Sequence, residues 1–201
     1  MVKEETQVKT NKNRWLIALS AICIHLSIGA AYAYSVYTIP LVDSLDWTVA
    51  SVTIAFTVMM TLGGASAAVF GKFVERSGPT KSAMVAAVLF GLGQAGSGFA
   101  VSIDSLLLFI LSYGFLSGIG LGIGYIAPVS TLVKWFPDRR GLATGMAVLG
   151  FGTGALITAP VAAILMENLG ISVTFYILGT SYFILMLVYY TPLTLPTICS
   201  L

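Results

Sequence analysis

Charge is what this sequence has least of. Its 201 residues include 10 Lys and Arg and 8 Asp and Glu, 9% of the chain, where a soluble domain carries about 25%. Against 57% hydrophobic residues and a mean hydropathy of +0.95, that deficit excludes a water-soluble globule, a disordered tail and a nucleic-acid-binding surface. Cysteine is equally scarce. Cys23 and Cys199 stand near opposite ends of the chain, with neither the spacing of a metal site nor the number a disulfide scaffold needs, and both read as packing residues. There is no nucleophile–base pair and no metal-ligand cluster. The glycine run Gly118-x-Gly120-x-x-x-Gly124 has the wrong spacing for a dinucleotide fingerprint. The sequence thus implies no metal, no cofactor and no catalytic residue, and it does not read as an enzyme.

What remains is long apolar sequence. A membrane helix needs about 20 apolar residues to cross the hydrocarbon core. Cutting the chain at its charges predicts six spans, at about 15–41, 48–71, 82–103, 105–133, 141–166 and 169–190. The first run is too long for a signal peptide, and no segment alternates with the period of a membrane barrel. The expected fold is an all-α membrane protein with six transmembrane helices, preceded by an N-terminal segment at 1–14. It is followed at 191–201 by an atypical tail in which Pro192 and Pro196 break the helix.

All ten basic residues fall on one side of these spans. They are Lys3, Lys9, Lys12 and Arg14 before the first, Lys72, Arg76 and Lys81 between the second and third, and Lys134, Arg139 and Arg140 between the fourth and fifth. The opposite loops hold Asp43, Asp46, Asp104 and Glu167 without a cation. The positive-inside rule places the N-terminus in the cytoplasm, in a cytoplasmic or inner cell membrane. Trp15, Trp47 and Trp135 lie at span ends, where amphipathic rings favour the interface. Six spans return the C-terminus to the cytoplasm, yet nothing after Glu167 is charged, so a truncated or frame-altered end is expected.

Within the first five spans the ionisable group of note is His25, about 15 Å into the first helix and so near the midplane. It is either a neutral imidazole bonded to a neighbour or a residue with a proton-coupling or substrate role. His25, Gly29, Tyr32 and Val36 share one face by helical spacing. Buried phenols seek hydrogen-bond partners, which makes Tyr32, Tyr34 and Tyr125 candidate substrate contacts. Tyr32 lies about 25 Å along its helix from Trp15 and Tyr125 about 12 Å from Val133, so one shared site requires tilt or different helix ends. Gly118 and Gly122 in the fourth span, and Gly145, Gly150 and Gly154 in the fifth, allow the close helix contacts that membrane bundles use, on surfaces fit to slide or rock.

The loop Gly71-Lys-Phe-Val-Glu75-Arg76-Ser-Gly78-Pro79-Thr-Lys81 resembles the signature loop of the major facilitator superfamily, with Glu75 for its aspartate and Pro79 for an arginine. Trp135-Phe-Pro137-Asp-Arg139-Arg140-Gly141-Leu-Ala-Thr-Gly145 and the glycine-rich fourth span resemble the oxalate/formate antiporters. Monocarboxylate transporters share the arginine-pair core, but their acidic-glycine motif before the first span is missing. The resemblance reaches to about Val188. It implies the N-terminal six-helix half of a twelve-helix carrier that moves small carboxylates by alternating access, as secondary transport or exchange. It also implies a cytoplasmic gate of Gly71, Glu75, Arg76, Gly78 and Lys81 with Arg139 or Arg140, and substrate-neutralising cations in the other half. The implied partners are a small carboxylate, the lipid bilayer and that second half, with no nucleic acid. Two rivals stand beside this reading. One is a half-transporter acting as a homodimer. The other is a truncated, non-transporting fragment or membrane scaffold.

Overall fold

The computed structural model describes residues 13–190. Lys3, Lys9, Lys12, Cys199 and the tail at 191–201 lie outside the described residues. Six helices long and apolar enough to cross a membrane account for nearly all of the rest. They are α1 (Arg14–Leu45), α2 (Val49–Ser77), α3 (Pro79–Ser102), α4 (Leu106–Trp135), α5 (Arg140–Leu169) and α6 (Ile171–Tyr190). The described residues contain no strand, and the chain is a multi-pass α-helical membrane protein.

Five of the six helices, α6 being the exception, are longer than the spans expected from the apolar runs, because backbone hydrogen bonding continues past the hydrocarbon edge. In α2 the helix runs through Gly71, Lys72, Glu75 and Arg76 to Ser77. Most of the expected signature loop is therefore helix, and the reversal is made at Gly78, whose φ of +80° is open to glycine at no steric cost. Pro79 then starts α3, where its missing N–H has no partner to lose. At the opposite end, Asp46 (φ 50°) and Asp104 (φ 52°) make the turns. Aspartate tolerates this left-handed region better than most residues, so these two acids have a conformational reason to sit there. Thr48 and Ser51 form a reciprocal capping box at the start of α2, satisfying donors that would otherwise be orphaned.

Two spans are not uniform α-helix. In α1, Ala30–Tyr34 is a 3-10 segment, and in α4, Ile110–Leu116 is a π segment. Each 3-10 residue turns the chain by about 120° rather than 100°, so faces above and below the insert drift apart. His25, Gly29 and Tyr32 nonetheless all meet Phe151 of α5, so the shared face expected of them holds as far as Tyr32. His25 and Gly29 are buried, whereas Tyr32 is 54% exposed.

The helices associate through small residues and single hydrogen bonds, as expected where lipid offers no hydrophobic drive between helices. α4 is central. A Cβ at Gly118 would lie 2.9 Å from the Met59 carbonyl of α2, and one at Gly122 would collide with the Gly63 carbonyl and the Ser66 hydroxyl. On the α3 side, a Cβ at Gly120 would lie 2.6 Å from the Phe90 nitrogen. α5 presses on α1 in the same way through Gly150 and Gly154. Gly145 is different. Nothing lies within 4 Å of a Cβ placed there, so its expected packing role inside this bundle is not met, because that side of α5 is open. The connecting hydrogen bonds include Tyr34 Oη to the Val52 carbonyl (2.6 Å, α1–α2), Ser66 Oγ to the Ile119 carbonyl (3.4 Å, α2–α4), Ser172 Oγ to the Gly98 carbonyl (2.7 Å, α6–α3) and Thr158 Oγ1 with Tyr182 Oη (2.8 Å, α5–α6).

Candidate substrate groove and basic end

One groove collects side chains from four helices. About 510 Å³ in volume, it is lined by Tyr32 of α1, by Met60, Gly63, Gly64 and Ala67 of α2, by Leu121 and Tyr125 of α4, and by Val148, Phe151 and Gly152 of α5. α2 packs on α4 and α5 packs on α1, so α2 and α5 bound the groove from opposite sides. Their remaining surfaces are open. Val69 and Leu156 are 72% and 74% exposed, and nothing lies within 4 Å of a Cβ at Gly64, Gly145 or Gly152.

Tyr32 and Tyr125 meet in this groove despite their different positions along the helix axes. α1 and α4 are antiparallel, and side chains lean toward the N-terminus of their own helix. The Tyr32 ring therefore leans down toward the Arg14 end while the Tyr125 ring leans up away from it, and the axial gap closes from both sides. Phe151 joins them, with its ring edge-on to Tyr32 at 5.0 Å and to Tyr125 at 5.7 Å between centroids. Both phenols stay partly exposed, 54% and 39%. Phe151 escaped sequence reasoning because nothing distinguishes one apolar ring from another there; its flanking glycines, Gly150 and Gly152, were the available signal.

Tyr34 and His25 do not line the groove. The Tyr34 ring is buried, its hydroxyl is spent on the Val52 carbonyl, and it stacks on Phe56 at 5.1 Å. His25 is fully buried beneath Tyr125, with ring centroids 5.4 Å apart and planes inclined by 26°, and its Nε2 lies 3.2 Å from the Tyr125 carbonyl oxygen. No Asp, Glu, Lys or Arg lines the groove. It can offer phenol donors, an aromatic wall and shape, but no fixed charge. The described residues contain no group of three or more His, Cys, Asp or Glu able to hold a metal.

At the basic end, the ion pairs among the described residues converge on Asp138, an acid the sequence reading passed over. Arg14 reaches it at 3.3 Å and Arg139 at 3.9 Å. The Arg14 guanidinium also lies 5.3 Å from the Phe136 ring centroid, so the start of α1 is clasped to the α4–α5 turn. Glu75, Arg76, Lys81 and Arg140 are exposed, and the structure does not bring Glu75 onto Arg139 or Arg140.

The sequence model of the Major Facilitator Superfamily matches residues 17–198. The chain belongs to the major facilitator superfamily. Among its relatives in the superfamily, the uncharacterized MFS-type transporter YhjX of Escherichia coli (strain K12) is 34% identical over 169 residues, covering 84% of this chain and 41% of that protein. The oxalate:formate antiporter of Oxalobacter formigenes is 30% identical over 168 residues, 83% of this chain and 39% of the antiporter. Apicoplast pyruvate carrier 1 of Toxoplasma gondii is 33% identical over 142 residues, 71% of this chain and 24% of that carrier. The chain thus spans less than half the length of these superfamily members.

Proposed function

We propose that this chain is the N-terminal half of a secondary carrier for small carboxylates, working by alternating access with a second six-helix half. The observation that carries the reading is the groove itself: two partly exposed phenols and an aromatic wall at bilayer depth, bounded by α2 and α5 surfaces that the bundle leaves open. Carboxylates accept phenol hydrogen bonds well. A desolvated anion without a fixed cation is heavily penalised, so the neutralising charge comes from the second half, which closes the groove across α2 and α5. The relatives named for oxalate, formate and pyruvate support the substrate class.

In the assembled carrier, Tyr32→Phe and Tyr125→Phe each weaken carboxylate uptake by about fivefold, since a neutral hydrogen bond is worth about 1 kcal/mol net. Half-saturation of labelled uptake is the measurement, and unchanged affinity in both variants removes these residues from the site.

The same reading sets the basic end in the cytoplasm and makes it the gate. Glu75, Arg76, Lys81 and Arg140, exposed on this half, then face the second half, while Gly71 lies in the last turns of α2, Gly78 makes the turn, and Arg14, Asp138 and Arg139 form a clasp within this one. A membrane-impermeant amine reagent applied outside sealed cells leaves Lys72 unlabelled. Its labelling before lysis contradicts the orientation.

A further inference from the structure

His25 is the one histidine in the chain and is wholly buried. Its hydrogen bonding is half complete. A carbonyl oxygen has no proton to give, so at the 3.2 Å contact with Tyr125 O it is Nε2 that carries the hydrogen. In the neutral ring Nδ1 then holds a lone pair. It makes no hydrogen bond of good geometry among the described residues, although the Ala147 carbonyl of α5 stands close to the ring.

The opposite face of Tyr125 lines the groove, so a single aromatic ring separates Nδ1's imidazole from whatever occupies it. From α4 the titratable group facing His25 is Tyr125. α5 presents Phe151 at 6.2 Å between ring centroids and Gly150 against the His25 Cβ, neither of which titrates. No fixed charge competes for control of the ring.

We infer that Nδ1 of His25 is a proton-binding site linked to the charge of the groove's occupant. An anion over Tyr125 favours the imidazolium, whose new N–H forms at Nδ1 with a proton taken from water. Departure of the anion returns that proton. Gly150 is the α5 residue laid over His25, and displacement of α5 from α1 at this glycine admits the proton. The inference rests on the carboxylate reading above and adds a proton to each anion that the groove accepts.

A single histidine makes the test direct. The whole chain, labelled with 15N in its histidine, is joined to an unlabelled matching second six-helix half in lipid nanodiscs and titrated between about pH 5 and 8, the range where histidine charge changes. Pyruvate or its uncharged amide is added in excess, and proton uptake is read in parallel from buffers of different ionisation enthalpy. The expected result is a neutral ring protonated at Nε2 without ligand, protonation of Nδ1 with pyruvate, no change with the amide, and proton uptake that His25→Gln abolishes. Glutamine keeps a donor for the Tyr125 carbonyl but cannot titrate. Pyruvate binding with no proton uptake, or uptake that persists in His25→Gln, overturns the proton site and leaves the carboxylate reading intact. Failure to bind any carboxylate overturns both. If His25→Gln does not fold, the wild-type spectra decide alone: a ring unmoved by bound pyruvate contradicts the inference.

Discussion

Gly122→Leu is expected to prevent this bundle from assembling, whereas Gly145→Leu leaves it folded. A side chain at Gly122 enters the space held by the Gly63 carbonyl and the Ser66 hydroxyl. The first is helix backbone and cannot turn aside. Overpacking costs about 1–3 kcal/mol where side chains can adjust, and more where α2 must be pushed off α4 bodily. The displacement also breaks the Ser66 bond to the Ile119 carbonyl, which has no water to replace it. Gly145 sits on the open side of α5 with nothing within 4 Å of a Cβ, so leucine there meets no part of this chain. Thermal unfolding and gel filtration in detergent separate the outcomes. Loss of a discrete monodisperse species is expected for Gly122→Leu, with little change for Gly145→Leu. Equal stability of the two variants would show that the α2–α4 contact is not as close as described.

Gly152→Arg is expected to give the isolated chain an affinity for oxalate and formate that it otherwise lacks, and Gly152→Glu to cut carboxylate uptake by the assembled carrier more than about tenfold. Gly152 lines the groove beside Tyr32, Tyr125 and Phe151, and nothing lies within 4 Å of a Cβ there, so either side chain fits without disturbing the fold. A charged hydrogen bond is worth about 1.5–3 kcal/mol, or roughly 10- to 150-fold in binding. The phenols alone supply less. The glutamate places a like charge where the substrate's must go. Calorimetric titration of the Arg variant with oxalate reads the gain. Absence of any gain would mean that the groove does not orient carboxylates.

The six helices were legible because membrane crossing demands about 20 apolar residues and this chain's 18 charged side chains punctuate them. The α4 glycines were legible for a related reason, since four-residue steps place Gly118 and Gly122 on one face. The helix ends were not, as the α2 helix shows by continuing from Gly71 to Ser77: charged residues end the hydrocarbon span, not the hydrogen-bond ladder.

The site was half legible. Tyr32 and Tyr125 stand out as phenols at membrane depth, but axial arithmetic held them apart because it counted Cα positions and ignored the lean of side chains on antiparallel helices. The burial of His25 beside an exposed Tyr32 was not legible, because both lie on the Phe151 side of α1 and spacing alone does not rank their exposure. Asp138 was hidden in a loop of cations, although a lone acid there is the natural partner for Arg14 across 124 residues of sequence.

The most direct measurement is uptake of labelled oxalate, formate, lactate and pyruvate into vesicles containing this chain, with and without a matching second six-helix half. The account predicts accumulation of at least one of these anions when both halves are present and none above the lipid background with this chain alone, because the groove brings phenols but no cation. Saturable carboxylate uptake by this chain without a second half would contradict it.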